Sequence, residues 1–236
     1  MRSINNKSED LTDEHSLIFV TKRGITKRVF LSEFARINQN GKIAIGLKED
    51  DELIDVKLTD GTAEIFIASS NGKVVRFNEN DVRCMGRTAA GVKGINVAEG
   101  EVVGVATSLE GKYILVISEY GYGKMSDMND YRLTKRGSQG VLTIKAGEKN
   151  GSLAKIVAVN GEEDILVVTN LGIIIRTSLK EVKVAGRNTL GVRIIRLINN
   201  QKVSSLCVTE AVEDEEVVTE EQPTQVAEEV KVEEEK

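Results

Sequence analysis

Ile65-Phe66-Ile67-Ala68-Ser69-Ser70-Asn71-Gly72-Lys73-Val74-Val75-Arg76 is the stretch that decides the fold. Two short β-type runs flank a glycine turn. The Asn71-Gly72 pair predicts a two-residue type I′ hairpin, which needs positive φ at both central positions. The unit then repeats. Apolar runs at Leu17–Val20, Ile114–Ile117 and Ile165–Val168 match Ile65–Ala68, and the turn glycines Gly24, Gly72, Gly121 and Gly172 are spaced by 48, 49 and 51 residues. A second glycine, at Gly41, Gly91, Gly140 and Gly191, precedes a further strand with intervals of 50, 49 and 51. A third apolar element closes each unit: Leu53–Leu58, Val102–Ser108, Leu153–Val159 and Val203–Thr209. A period of this length built from β-type runs predicts an all-β, propeller-like array of about four blades. Each small sheet then buries its faces against its neighbours.

Between the hairpin and the second glycine lie stretches without clean alternation: Leu31–Asn40, Glu79–Ala90, Asp127–Gln139 and Leu179–Leu190. Arg83-Cys84-Met85-Gly86-Arg87 overlays Lys183-Val184-Ala185-Gly186-Arg187, so these are expected to be ordered connections crossing between sheets. Leu31–Arg36 is compatible with a short helix. The expected organisation is residues 1–15 as a connection with a closing-strand remnant at Arg2–Ile4, then blades over 16–60, 61–110, 111–161 and 162–209. The segment 210–236 lacks aromatics and is rich in Glu. It should be a disordered acidic tail, because it buries too little apolar area to offset its ordering entropy.

The overall charge of −5 sums two regions of opposite sign. Glu210–Lys236 holds twelve acids against Lys231 and Lys236, a net of −10, which leaves the body at +5. A basic body with an acidic tail is the asymmetry of a polyanion binder carrying its own competitor, or of an ordinary domain with a solubilising tail. No apolar run reaches the roughly 18 residues of a membrane span and no leader precedes the first blade, so a cytoplasmic, non-membrane protein is expected. Cys84 and Cys207 lie far apart and read as free thiols.

Catalysis has little support. His15 is the only histidine, which argues against a metal centre or a Cys-His nucleophile pair. The carboxylates Asp50-Asp51-Glu52 and Glu162-Glu163-Asp164 fall in turns and read as solvated acids. Gly121-Tyr122-Gly123-Lys124 lacks the spacing of a phosphate loop and reads as the third hairpin turn. No catalytic residue, metal or cofactor is therefore expected in this chain.

Cations carry the better signal. Arg28, Arg76 and Arg176 sit four residues beyond the turn glycine in three copies, with Met125 at that place in the third, where Lys124 precedes it; Lys27 precedes Arg28. Lys42, Arg83, Arg87, Lys93, Arg132, Lys135, Arg136, Lys183, Arg187 and Arg193 cluster around the second glycine. A circular array sets equivalent positions at equal angular steps, so a curved basic track of exposed cations is expected. For any single arginine, a structural role is the alternative. Aromatics are 4% of the chain and show no repeat, so a stacking platform for single strands is not expected, nor is a recognition helix. The pattern suits the backbone of bent duplex DNA. Bending about 20–30 base pairs through roughly 40–90° costs on the order of 1–6 kcal/mol, which distributed phosphate contacts offset.

Val82-Arg83 with Met85-Gly86 and Thr88, Gly91-Val92-Lys93-Gly94, Gly121-Tyr122-Gly123-Lys124, and Gly186-Arg187-Asn188-Thr189 with Gly191-Val192 closely resemble the C-terminal domain of the bacterial DNA gyrase A subunit. The likeness runs from Arg2 to about Thr209. It implies a β-pinwheel that wraps duplex DNA around a basic rim. By the same resemblance, the rest of gyrase A and gyrase B would be partners in ATP-dependent negative supercoiling at the bacterial nucleoid. The family's signature loop, of the type Gln-Arg-Arg-Gly-Gly-Lys-Gly, is absent; Thr134-Lys135-Arg136-Gly137-Ser138-Gln139-Gly140 is the nearest approach. The four units resemble the last four of the family's six repeats, without the breakage-reunion domain. A topoisomerase IV subunit tail and a propeller-like protein-binding module are the competing expectations.

Overall fold

The computed structural model describes residues 13–36, 40–198 and 200–211. The strand remnant expected at Arg2–Ile4 and the disorder expected beyond residue 211 fall outside them. Four antiparallel sheets follow one another along the chain. Each is built on a hairpin: Ser16–Thr21 with Ile25–Phe30, Glu64–Ser69 with Lys73–Asn78, Tyr113–Ser118 with Tyr122–Asp127, and Asp164–Thr169 with Ile174–Ser178. A closing strand then pairs with the first hairpin strand: Leu53–Thr59, Val102–Thr107, Leu153–Val159 and Val203–Thr209 respectively. A bulge shifts the register near the same end of all four pairings.

The Asn71-Gly72 hairpin is not type I′. Only the turn glycines have positive φ, at 82°, 79°, 80° and 78° for Gly24, Gly72, Gly121 and Gly172, and Asn71 does not. Ser69 pairs with Lys73 across three residues, and the Gly72 amide donates to the Ser69 carbonyl at 2.9 Å. This is the longer hairpin loop that ends on a left-handed glycine. The same bond recurs at Gly24, Gly121 and Gly172, so one glycine per turn suffices where the type I′ reading required two left-handed residues.

The outermost strand of each of the first three sheets comes from the next repeat. Val92–Lys93 joins the first sheet at Ile25 and Thr26, Val141–Leu142 the second at Lys73 and Val74, and Val192–Arg193 the third at Tyr122 and Gly123. The segment after the second glycine thus crosses back to the preceding blade. The crossing is locked at the turn glycine, whose carbonyl accepts from the Gly94 and Ile95 amides in blade one, Thr143 and Ile144 in blade two, and Ile194 and Ile195 in blade three. A Cβ on Gly24 or Gly121 would stand 2.6 Å from the carbonyl of Ile95 or Ile195, and one on Gly72 would meet Ile144 closer still. Gly172 has open space at this place, and its sheet holds three strands among the described residues.

Three cores lie between the four blades. Ile65 and Ile67 pack with Ile18, Val20 and Ile95, whereas Phe66 and Ala68 on the opposite face pack with Ile114, Val116 and Tyr131. Leu115 and Ile117 continue the pattern against Ile165 and Val167. A first hairpin strand buried on both faces explains the unbroken apolar runs that replace alternation. The closing strands of successive blades lie against one another and line the centre, so the borrowed strands form the perimeter. Short 3-10 turns at Leu31–Phe34, Glu79–Asp81, Met128–Asp130 and Leu179–Glu181 start the connections. The residues of the expected short helix at Leu31–Arg36 form the first of these.

Candidate nucleic-acid interface

The recurring cations divide by the element that carries them. On the second hairpin strands of the first three blades they point inward. Lys27 and Lys124 are 0% and 1% exposed. The Lys27 ammonium donates to the carbonyls of Ala44 and Arg87, and that of Lys124 to the Gly186 carbonyl and, at 3.0 Å, to Thr189 Oγ1. Burial lowers both pKa values, that of Lys124 to about 8; Arg87 and Arg187 add to the effect on Lys27 and Lys124 respectively, and Asp130 opposes it at Lys124. Arg28 is nearly buried and donates to Asn80 Oδ1 at 2.6 Å and Ser16 Oγ at 3.2 Å, beside the buried Glu79 at 3.3 Å. Arg76 lies over the Phe66 ring at 5.4 Å, pairs with Glu64, and donates to the carbonyls of Met128 and Tyr131, both at 2.7 Å. Arg176 is exposed and pairs with Asp164 at 2.7 Å.

The expectation of an exposed track through Lys27, Arg28 and Lys124 is therefore corrected: these groups are enclosed and hold the connections in place. Arg76 and Arg176 are committed to carboxylates. Each strand position faces the end of the neighbouring connection, where a cation satisfies carbonyls that the irregular backbone leaves unpaired.

A second set clasps one connection to the next. Arg136 Nε and Nη1 donate to the carbonyls of Asp81 and Lys93 at 3.0 and 3.1 Å, and Arg187 does the same to Asp130 and Leu142, both at 2.9 Å. Arg87, at the equivalent place, donates to the Ile43 carbonyl at 3.2 Å and faces Glu33 at 3.7 Å. Lys42 donates to the Glu33 carbonyl at 3.3 Å. All four are half-buried, so part of each charge still faces solvent.

The third set stands free on the perimeter. Arg83, Arg132 and Lys183 occupy one position in three successive connections, next to the residues that bridge in parallel to Arg28, Arg76 and Met125. Each is exposed and has no side-chain partner among the described residues. Lys93 and Arg193 project from the borrowed strands, and Lys135 is exposed while pairing with Asp81 at 2.7 Å. Arg196 and Lys145, both exposed and five residues beyond the second glycine, were missed by sequence reasoning. The signal was there in their shared spacing, although Asn96 breaks it in the second repeat. Charges that stay solvated and unpaired are free to exchange counterions for phosphates, the basis of sequence-independent binding to a nucleic-acid backbone. Among the described residues no cluster of metal-ligating side chains is present, and no helix is long and apolar enough to cross a membrane.

Four segments of the chain, residues 15–60, 63–108, 112–160 and 163–209, match the family described as DNA gyrase C-terminal domain, beta-propeller. The DNA gyrase A protein of Ureaplasma parvum is 50% identical over 214 residues, covering 89% of this chain and 26% of that protein. The chain thus spans about a quarter of the length of this relative. A solved DNA gyrase A C-terminal domain superposes with a TM-score of 0.75 at 29% identity, covering 85% of this chain and 67% of that one. The C-terminal domain of a DNA topoisomerase IV gives 0.79 at 26% identity, covering 88% and 64%. With all four blades matched by one family profile, the chain belongs to the family of β-propeller C-terminal domains of DNA gyrase A.

Proposed function

We propose that this chain binds duplex DNA along the perimeter of its blades, without sequence preference, and bends the duplex around that path. The observation that carries the reading is the free cation repeated as Arg83, Arg132 and Lys183, which sets one solvated charge at the same place in three consecutive blades. Lys93, Arg193 and the half-buried Arg136 and Arg187 extend the positive field between these points. Membership of the gyrase family supports duplex DNA over an acidic protein as the partner. No base-reading helix or strand projects from the described perimeter, so affinity comes from phosphate contacts.

In the whole enzyme the domain serves as the C-terminal part of gyrase A. It acts with the rest of gyrase A and with gyrase B, in the bacterial cytoplasm at the nucleoid, to present wrapped DNA for ATP-dependent negative supercoiling. Gyrase A is favoured over a topoisomerase IV origin by the 50% identity of the gyrase relative. Anisotropy titration of a labelled duplex at several salt concentrations tests the binding step. A log–log salt slope that grows by roughly −0.9 per neutralised phosphate is expected, with equal affinity for unrelated sequences. A slope near zero would reject it.

A further inference from the structure

The four-fold regularity breaks at one junction. Where the hairpin of the third blade meets the end of the fourth connection, a pocket of about 440 Å³ opens between Tyr120, Tyr122, Lys149, Arg193, Arg196 and Lys202. Arg193 lies over the Tyr122 ring at 5.2 Å and donates through Nη2 to its hydroxyl at 2.9 Å, and Lys149 lies over the same ring at 5.8 Å. Lys202 lies over Tyr120 at 5.7 Å. Four cations line the pocket and no carboxylate does. Among the described residues only Lys202 has an acidic partner, Glu119 at 3.4 Å just outside, and Lys149 and Arg193 face the Tyr122 ring. One wall is apolar: Ile198 is 60% exposed and Tyr120 39% exposed.

Nothing in the repeat demands this arrangement. At the places of Tyr120, Tyr122 and Lys202 the first blade junction has Arg23, Ile25 and Glu101, and the second has Asn71, Lys73 and Ser152. Among the described residues aromatic rings, exposed aliphatic carbon and cations therefore meet once at a blade junction, beside Arg193, which belongs to the perimeter. A duplex presents phosphates outward but keeps its bases stacked inside, so the cations alone would suffice for it. Only a nucleotide that has left the stack brings a phosphate and a planar apolar body together into a concave site. A bent duplex supplies such nucleotides at kinked or interrupted steps.

We propose that this pocket captures an unpaired, unstacked nucleotide of DNA carried on the perimeter. Its phosphate sits among Lys149, Arg193 and Arg196, and its base covers Tyr120 and Ile198. The proposal rests on the duplex-binding reading above and makes the junction of the third and fourth blades a site that favours interrupted DNA.

The test uses the full chain and three duplexes of one sequence: intact, with one extrahelical nucleotide, and with one extrahelical abasic unit. The base-bearing bulge should bind about tenfold more tightly than the intact duplex. The abasic bulge, which is equally flexible, should resemble the intact duplex. The double variant Tyr120→Ala, Ile198→Ser should lose the preference while binding intact duplex within about twofold of wild type, with an unchanged melting temperature. Equal binding of the base-bearing and abasic bulges would overturn the capture and leave duplex binding standing. So would a free deoxynucleoside monophosphate that saturates the pocket, read by tyrosine fluorescence, while the bulged duplex shows no advantage. Failure of every duplex to bind would overturn the duplex reading and the capture together.

Discussion

Arg28 and Arg76 on the second hairpin strands and the cations of the crossing connections occupy opposite environments, whereas Arg176, whose sheet receives no borrowed strand among the described residues, stays exposed beside Asp164. Arg28 and Arg76 lie against Glu79 and Glu64 and are spent on their own protein's oxygens. Arg83, Arg132 and Lys183, a few residues further along each unit, stand in solvent with no partner among the described residues. The difference comes from the crossing itself. Each connection leaves its own blade, passes along the preceding hairpin and delivers a strand there, so the hairpin cation ends beneath it and the connection cation on top. Periodic charge therefore reports architecture on one element and solvent-facing charge on the other.

The largest effect that tests this contrast is on stability. Arg76→Met removes one partner of a largely enclosed ion pair and strands the carbonyls of Met128 and Tyr131. A loss of about 3 kcal/mol in a urea unfolding titration is expected, with duplex affinity of the folded protein preserved. Unchanged stability with weakened duplex binding would return Arg76 to the contact surface.

The next comparison isolates the borrowed strand. Gly72 and Gly172 have nearly the same φ, 79° and 78°, so a Cβ strains both backbones alike. Only Gly72 has the carbonyl of Ile144 in the way. Gly172→Ala should cost about 1 kcal/mol, and Gly72→Ala at least about 1 kcal/mol more, because the donated strand must shift. Equal costs in parallel denaturation curves would argue that the exchange contributes nothing at that turn.

These positions also mark how far the sequence could be read. The glycine spacing and the doubly buried run Ile65–Ala68 made the blades legible, because both depend on local pattern. Strand exchange was only half legible. Val92–Lys93 is two residues long, too short for a periodic signal, and its partner Ile25–Thr26 lies in the previous repeat. The inward fate of Lys27 and Arg28 followed from that exchange and was hidden with it. The Tyr120–Tyr122 pocket escaped for the opposite reason: a feature occurring once is invisible to reasoning from repeats.

A smaller effect concerns pH. The buried Lys124 has its pKa lowered from 10.5 to about 8, chiefly by desolvation. Between these values the unfolded chain binds the proton and the folded chain does not, so this residue's contribution to stability rises with pH across that window. Relative to Lys124→Met, wild type should gain on the order of 1 kcal/mol per pH unit from pH 8 to 10, measured by thermal melts of both proteins. A pH-independent difference would mean that the ammonium is solvated in the folded protein.

The most direct measurement neutralises the free connection cations alone. In the triple variant Arg83→Gln, Arg132→Gln, Lys183→Gln, the midpoint of unfolding should stay at the wild-type value, since exposed, unpaired charges contribute little to stability. The log–log salt slope for duplex binding should shrink by roughly 2.7, about 0.9 for each phosphate left without its cation. An unchanged slope, with affinity intact at low salt, would contradict the assignment of the perimeter connections as the DNA-binding surface.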